Sequence, residues 1–166
     1  MAIILNGNNN PTAGAVAVGD GTTLAFTSAG TSGQLLQSNG ATAPSFTSTL
    51  NTVNLTNPTV TNYTETPYSA NSSTAITLAL TNGTVQIITL TGNATITMPT
   101  ATSGKSFIMY LKQDATGSRT VTWSTVKWAG GTAPTITSTA SRQDILSFFA
   151  DGSSWFGVVV AQNYTP

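Results

Sequence analysis

The sequence predicts an all-β protein: an antiparallel, jelly-roll-like β-sandwich carrying a long extended N-terminal arm. Three observations point there. From about residue 71 onward, short runs alternate apolar and polar residues, and turn signals separate them at roughly 8 to 12-residue spacing. No segment sustains the 3.6-residue apolar period of an amphipathic helix. Thr, whose branched Cβ suits a pleated surface, occupies 33 of 166 positions.

The elements follow in order. Residues 1–64 form the arm and its connector: seven of the 15 glycines and only one charge, Asp20, fall here. Large apolar residues are few and scattered, too sparse to offset a backbone ordering cost of about 1–2 kcal/mol per residue. Thr47 to Thr64, with Pro58 inside, reads as an extended connector with one or two edge strands. Residues 65–166 form the sandwich. Ile76, Leu78 and Leu80 alternate with Thr77 and Ala79. Asn82-Gly83 then predicts a hairpin, since a tight two-residue turn needs positive φ at both positions. Val85 to Leu90 is the returning strand. Ala94, Ile96 and Met98 mark the next, ending at Pro99, and Phe107, Met109 and Leu111 the one after Gly104. Asp114 to Gly117 reads as a turn, followed by Val121 and Trp123 on a strand and by a Thr-rich strand around Ile136. Arg142 to Ala150 and Ser154 to Ala161 close the domain as a second hairpin, turning at Asp151-Gly152. The expected core comprises Ile76, Leu78, Leu80, Val85, Ile87, Ile96, Phe107, Met109, Leu111, Val121, Leu146, Phe148, Val158 and Val160.

Charge excludes several functions. Lys and Arg number five, Asp and Glu five, and there is no His or Cys. No basic surface exists to bind nucleic acid through counterion release. Without thiolate or imidazole, neither a zinc site, nor a disulfide framework, nor His-based acid–base catalysis can be built. No apolar run approaches the ~20 residues of a membrane span. The start at Met1 lacks the basic and apolar regions of a signal peptide, so synthesis and use from the cytosol are expected. A chain with so little charge suits a packed assembly better than a free monomer.

The carboxylates read as structural. Asp20-Gly21, Asp114 near Gly117 and Asp151-Gly152 are turn contexts, in which Asp bonds its own backbone. A glycosidase pair or a Ca²⁺ site built on them lacks supporting spacing. No catalytic, cofactor or metal residue is assigned, and no enzyme activity is expected. Trp123 and Trp155 sit within strand patterns and read as core or interface. Trp128, before Gly130-Gly131, sits in an expected loop and is the residue best placed to stack on a sugar.

Two stretches resemble known proteins. Ala13-Gly14-Ala15-Val16-Ala17-Val18-Gly19-Asp20-Gly21-Thr22, then Ala29 to Gly40 and Ala43-Pro44-Ser45-Phe46, resemble a segment of tail-fibre and virion surface proteins of tailed phages. Its usual form ends in Trp where this chain has Phe46. Leu90 to Thr95, Gly104-Lys105-Ser106-Phe107, Gln113 to Gly117 and Trp128 to Gly131 resemble the β-rich domain of phage virion proteins. The resemblance implies a homotrimer on the outside of a virion, and carries no catalytic residues. A chain of 166 residues with its own Met1 suits a small capsid decoration (cement) protein. It would be made in the host cytoplasm and bound to the major capsid protein, stabilising the head surface. The alternative is a tail-fibre or receptor-binding tip contacting host surface polysaccharide, with Trp128 as a contact. In the first case the arm is the anchor, lying along the shell or sister protomers through Ile3, Leu5, Val16, Val18, Leu24, Phe26, Leu35, Leu36 and Phe46. Strand addition would supply affinity there.

Overall fold

The alternating segments become strands, as their period dictates, but their partners differ from those of an antiparallel sandwich. The computed structural model describes residues 12–19, 24–51 and 53–166. The chain divides into two compact units, Met1–Thr59 and Val60–Pro166.

In the first unit, β1 (Ala17–Gly19) and β2 (Leu24–Phe26) pair antiparallel, as do β3 (Leu35–Asn39) and β4 (Thr42–Thr47). Among the described residues the arm therefore holds two short antiparallel strand pairs. Gly40, at φ 70°, turns the second hairpin. Gly30 lies under the ring of Phe46, where a Cβ would stand 2.6 Å from the aromatic carbon. Among the described residues from Ser48 to Thr66, no strand forms.

The second unit holds nine strands: β5 (Pro67–Asn71), β6 (Ala75–Thr77), β7 (Val85–Leu90), β8 (Ala94–Thr97), β9 (Ser106–Gln113), β10 (Val121–Ser124), β11 (Val126–Trp128), β12 (Gln143–Ala150) and β13 (Trp155–Tyr164). They make two sheets. The larger has the order β11-β13-β12-β9-β7-β5, the smaller β10-β8-β6. From β5 to β10 the chain alternates between the sheets, and each strand pairs parallel with the next but one: β5 with β7, β7 with β9, β6 with β8, β8 with β10. The backbone thus winds three times between two sheets, in the manner of a short β-helix. Only β12 is antiparallel to both its neighbours, β9 and β13.

This winding corrects two expectations. Asn82-Gly83 is not a hairpin: Leu80–Asn82 is a short 3-10 turn, Gly83 sits at φ 146° and ψ 155°, and the flanking strands lie in different sheets. No strand forms around Ile136 either, because side chains take up the backbone there. Gln113 Nε2 donates to the Thr137 carbonyl at 2.8 Å, Gln162 Nε2 to that of Thr135 at 2.8 Å, and the Thr137 N–H donates to Asp144 Oδ2 at 2.7 Å. Asp151-Gly152 does turn the β12–β13 hairpin, through a four-residue loop between paired Ala150 and Trp155.

The core lies between the two sheets. Leu78, Ile88, Leu90, Ile96, Phe107, Met109, Leu111, Leu146, Phe148 and Trp155 are buried, with Ile76, Leu80 and Val121 packed against them. Phe107 and Phe148 stack at 4.8 Å between ring centres, with Trp155 edge-on to Phe107 at 5.2 Å. The Trp155 indole N–H is satisfied by the Pro99 carbonyl at 2.7 Å. On two strands the inward set is displaced by one residue from expectation. In β7, Gln86, Ile88 and Leu90 point inward rather than Val85 and Ile87. In β13, Trp155 is buried while Val158 and Val160 are 57% and 58% exposed. A one-residue slip exchanges the two faces of a strand.

Candidate interaction surface

The carboxylates are engaged in holding backbone. Asp114 Oδ1 accepts from the N–H groups of Thr116 and Gly117, and its Oδ2 pairs with Arg119 at 3.0 Å. The Arg119 hydrogen bond, aided by those N–H groups, holds the Asp114 carboxyl below its ordinary 3.8. Asp151 Oδ1 accepts from Ser153 and Ser154 N–H at 2.8 Å each, which lowers its pKa too, the Ser153 N–H bond contributing most. Asp144 is buried and accepts from Thr137 N–H, Asn163 N–H and Gln162 Nε2. Glu65 takes the Thr84 hydroxyl. Each of these four is committed to a turn, a loop or a neighbouring side chain. Asp20 lies outside the described residues.

Trp128 is on β11, not in a loop. Its ring is half-buried against Phe148, at 5.8 Å, and Trp123, at 5.2 Å. It also covers Gly157, where a Cβ would meet the indole at 2.5 Å. Its N–H is sealed from solvent without a partner, so it offers no donor to a sugar. Trp128 packs against the core with part of its surface open to solvent.

The anchor candidates of the first unit separate into two groups. Val16, Val18, Leu24, Phe26 and Phe46 are half-buried, and Phe26 and Phe46 border a cleft of about 410 Å³. Leu35 and Leu36 are exposed and, with Leu50 and Val53, line a second cleft of about 340 Å³. Ile3 and Leu5 lie outside the described residues.

One apolar surface among the described residues was not among the candidates. It is the outer face of the six-stranded sheet, where Ile108, Phe149, Phe156, Val158 and Val160 are each 42–58% exposed. The strand register places them side by side. Phe156 lies opposite Phe149, and Val158 opposite Ser147, which in turn pairs Ile108. Ile108 pairs Val85, and Ile145, Tyr110 and Ile87 form the next row. Val160, two residues after Val158, shares this side by alternation, and a β-bulge follows where Ala161 rather than Val160 pairs Ile145. The outer side of the three-stranded sheet differs: Ala75, Thr77, Thr95, Thr97 and Thr122 are exposed there. The sequence held the signal. Phe107 to Leu111, Ile145 to Ala150 and Phe156 to Val160 are nearly continuous apolar runs, the mark of a strand apolar on both faces. Ala94-Thr95-Ile96-Thr97 alternates strictly, the mark of one wet face.

Residues 76–155, the region that contains most of the two-sheet winding and its aromatic core, match a family model described as "Putative phage tail fibre C-terminal domain". No curated protein and no solved structure matches the chain. The family match, falling on the β-rich region that itself resembles phage virion domains, supports a structural protein of a phage virion.

Proposed function

We propose that the chain is a component of a phage tail fibre, three copies of which assemble so that the two-sheet unit forms a fibre-end domain. The observation that carries this reading is the match of residues 76–155 to a tail fibre C-terminal domain. It favours the fibre over the capsid-decoration role that chain length alone suggests. The β-winding supports it physically: parallel coils stacked along one direction resist tension through backbone hydrogen bonds and need little charge. In this reading the protein binds and positions rather than catalyses, and host surface polysaccharide is its target. Contact would come from exposed Thr, Ser and Asn side chains and loops, not from Trp128. Immunogold labelling of intact virions tests the location. Gold at the distal tail supports the fibre, whereas gold spread over the head in many copies returns the protein to decoration of the major capsid protein.

A further inference from the structure

The two outer faces of the two-sheet unit are made by one chain with one composition, yet one is Thr and Ala and the other Phe, Val and Ile. The five most exposed apolar side chains of the second face, from Ile108 to Val160, leave roughly 400–500 Å² uncovered, taking about 150–250 Å² for a large side chain. With the partly covered Val85, Ile87, Tyr110 and Ile145 beside them, the patch reaches the top of the ~300–600 Å² that the largest patch of a monomer ordinarily spans. It approaches the ~800 Å² per partner of a stable interface.

Charge says what kind of partner fits. Apart from Lys127, which pairs Phe156 from the edge strand β11, and Glu65, which lines a cleft beside Ile108 and Ser147, no charged residue lies within these rows. Lys127 stands at one margin, its Nζ 5.5 Å from the Phe156 ring centre, and Lys112 at another, opposite Gln143. An apolar centre with a thin charged rim offers nothing to steer an unlike partner. It is the layout of a homomeric interface, which is more apolar than a transient one. A closed cyclic arrangement hides every copy of such a face at once.

We infer that the outer face of the six-stranded sheet is where copies of this chain meet, three such faces closing round a common axis. The number three rests on the assembly reading above; the choice of face does not.

The test uses the full chain in sedimentation equilibrium. Wild type is expected at three times 17.0 kDa. Val158→Asp combined with Val160→Asp is expected at a single 17.0 kDa, with its β-type circular dichroism retained because both side chains point to solvent. Thr97→Asp, on the opposite face, is expected to leave the mass unchanged. The chain has no Cys, so Ser147→Cys reports directly: on the covered face its thiol is expected to react with a bulky maleimide far more slowly in the assembled chain than in the Val158→Asp, Val160→Asp background. A monomeric wild type, or a double variant that stays assembled, overturns the inference. So does a Ser147→Cys thiol that is labelled equally fast in the assembled chain and in the double-variant background. Labelling of the head with the interface result intact would instead overturn only the tail-fibre reading.

Discussion

The two units draw on the same residue vocabulary and reach different degrees of order. Every buried hydrophobic among the described residues, from Leu78 to Trp155, belongs to the second unit. In the first, the best-covered side chains, such as Phe26 and Phe46, are only half-buried, and Leu35 and Leu36 face solvent. Both contain strands. The difference is layering: β7, β9 and β12 carry apolar rows opposed by β8 and its neighbours across a shared core, while each hairpin of the first unit is two-stranded. An isolated two-stranded hairpin is marginal in water. Strand formation is therefore cheap in a Thr-rich chain, and stability arrives only where a second layer covers the first.

This contrast can be broken most directly in the core. Phe148→Ala removes a ring that touches Phe107, Trp123 and Trp128, and should cost about 3–5 kcal/mol. Phe46→Ala in the first unit should cost about 1 kcal/mol, since part of its surface is already wet. Urea melts followed by circular dichroism check both, and equal costs would contradict the difference in burial between the two units.

Backbone crowding should separate the units next. Gly117, at φ 72°, has Ala140 N, Ala140 Cα and the Ser138 carbonyl within 2.8 Å of where a Cβ would stand. Gly117→Ala adds left-handed strain to a clash against backbone that cannot swing away, for a loss of about 2–3 kcal/mol. Gly33→Ala, also at positive φ but with open space around it, should lose only the strain, about 1 kcal/mol. Thermal melts of the two variants give the comparison.

Acid should act on the second unit. The folded pKa values of Asp114 and Asp151 lie below the ordinary 3.8, so their contribution is complete at neutral pH and is lost as pH falls below that value. The melting temperature should therefore hold above 3.8 and drop as pH falls below it, and Asp114→Asn with Asp151→Asn should flatten the drop. A melting temperature independent of pH in wild type would contradict the assignment. The smallest effect is expected at Leu36→Ser, within about 0.5 kcal/mol, because an exposed side chain has little burial to lose.

Much was legible in the sequence itself. Period-two alternation, abundant Thr and the lack of a helical period determined an all-β chain, and Asp151-Gly152 marked the β12–β13 turn because Asp there binds the next N–H groups locally. Most core residues could be read as well: Leu78, Ile96, Phe107, Met109, Leu111, Leu146 and Phe148 are all buried. What only the tertiary structure decided is which strands pair. Alternation says which side chains share a face but carries nothing about the neighbour, so parallel winding between two sheets and an antiparallel sandwich look alike residue by residue. The faces of β7 and β13 were undecided for the same reason. Their runs are apolar in both parities, and Gln86 took an inward place because its Nε2 reaches the Gly83 carbonyl in the arch. The exposed face of Phe149, Phe156 and Val158 emerged only once β9, β12 and β13 stood side by side. A patch is a property of neighbouring strands, and their adjacency is settled by packing against the second layer rather than by any one segment.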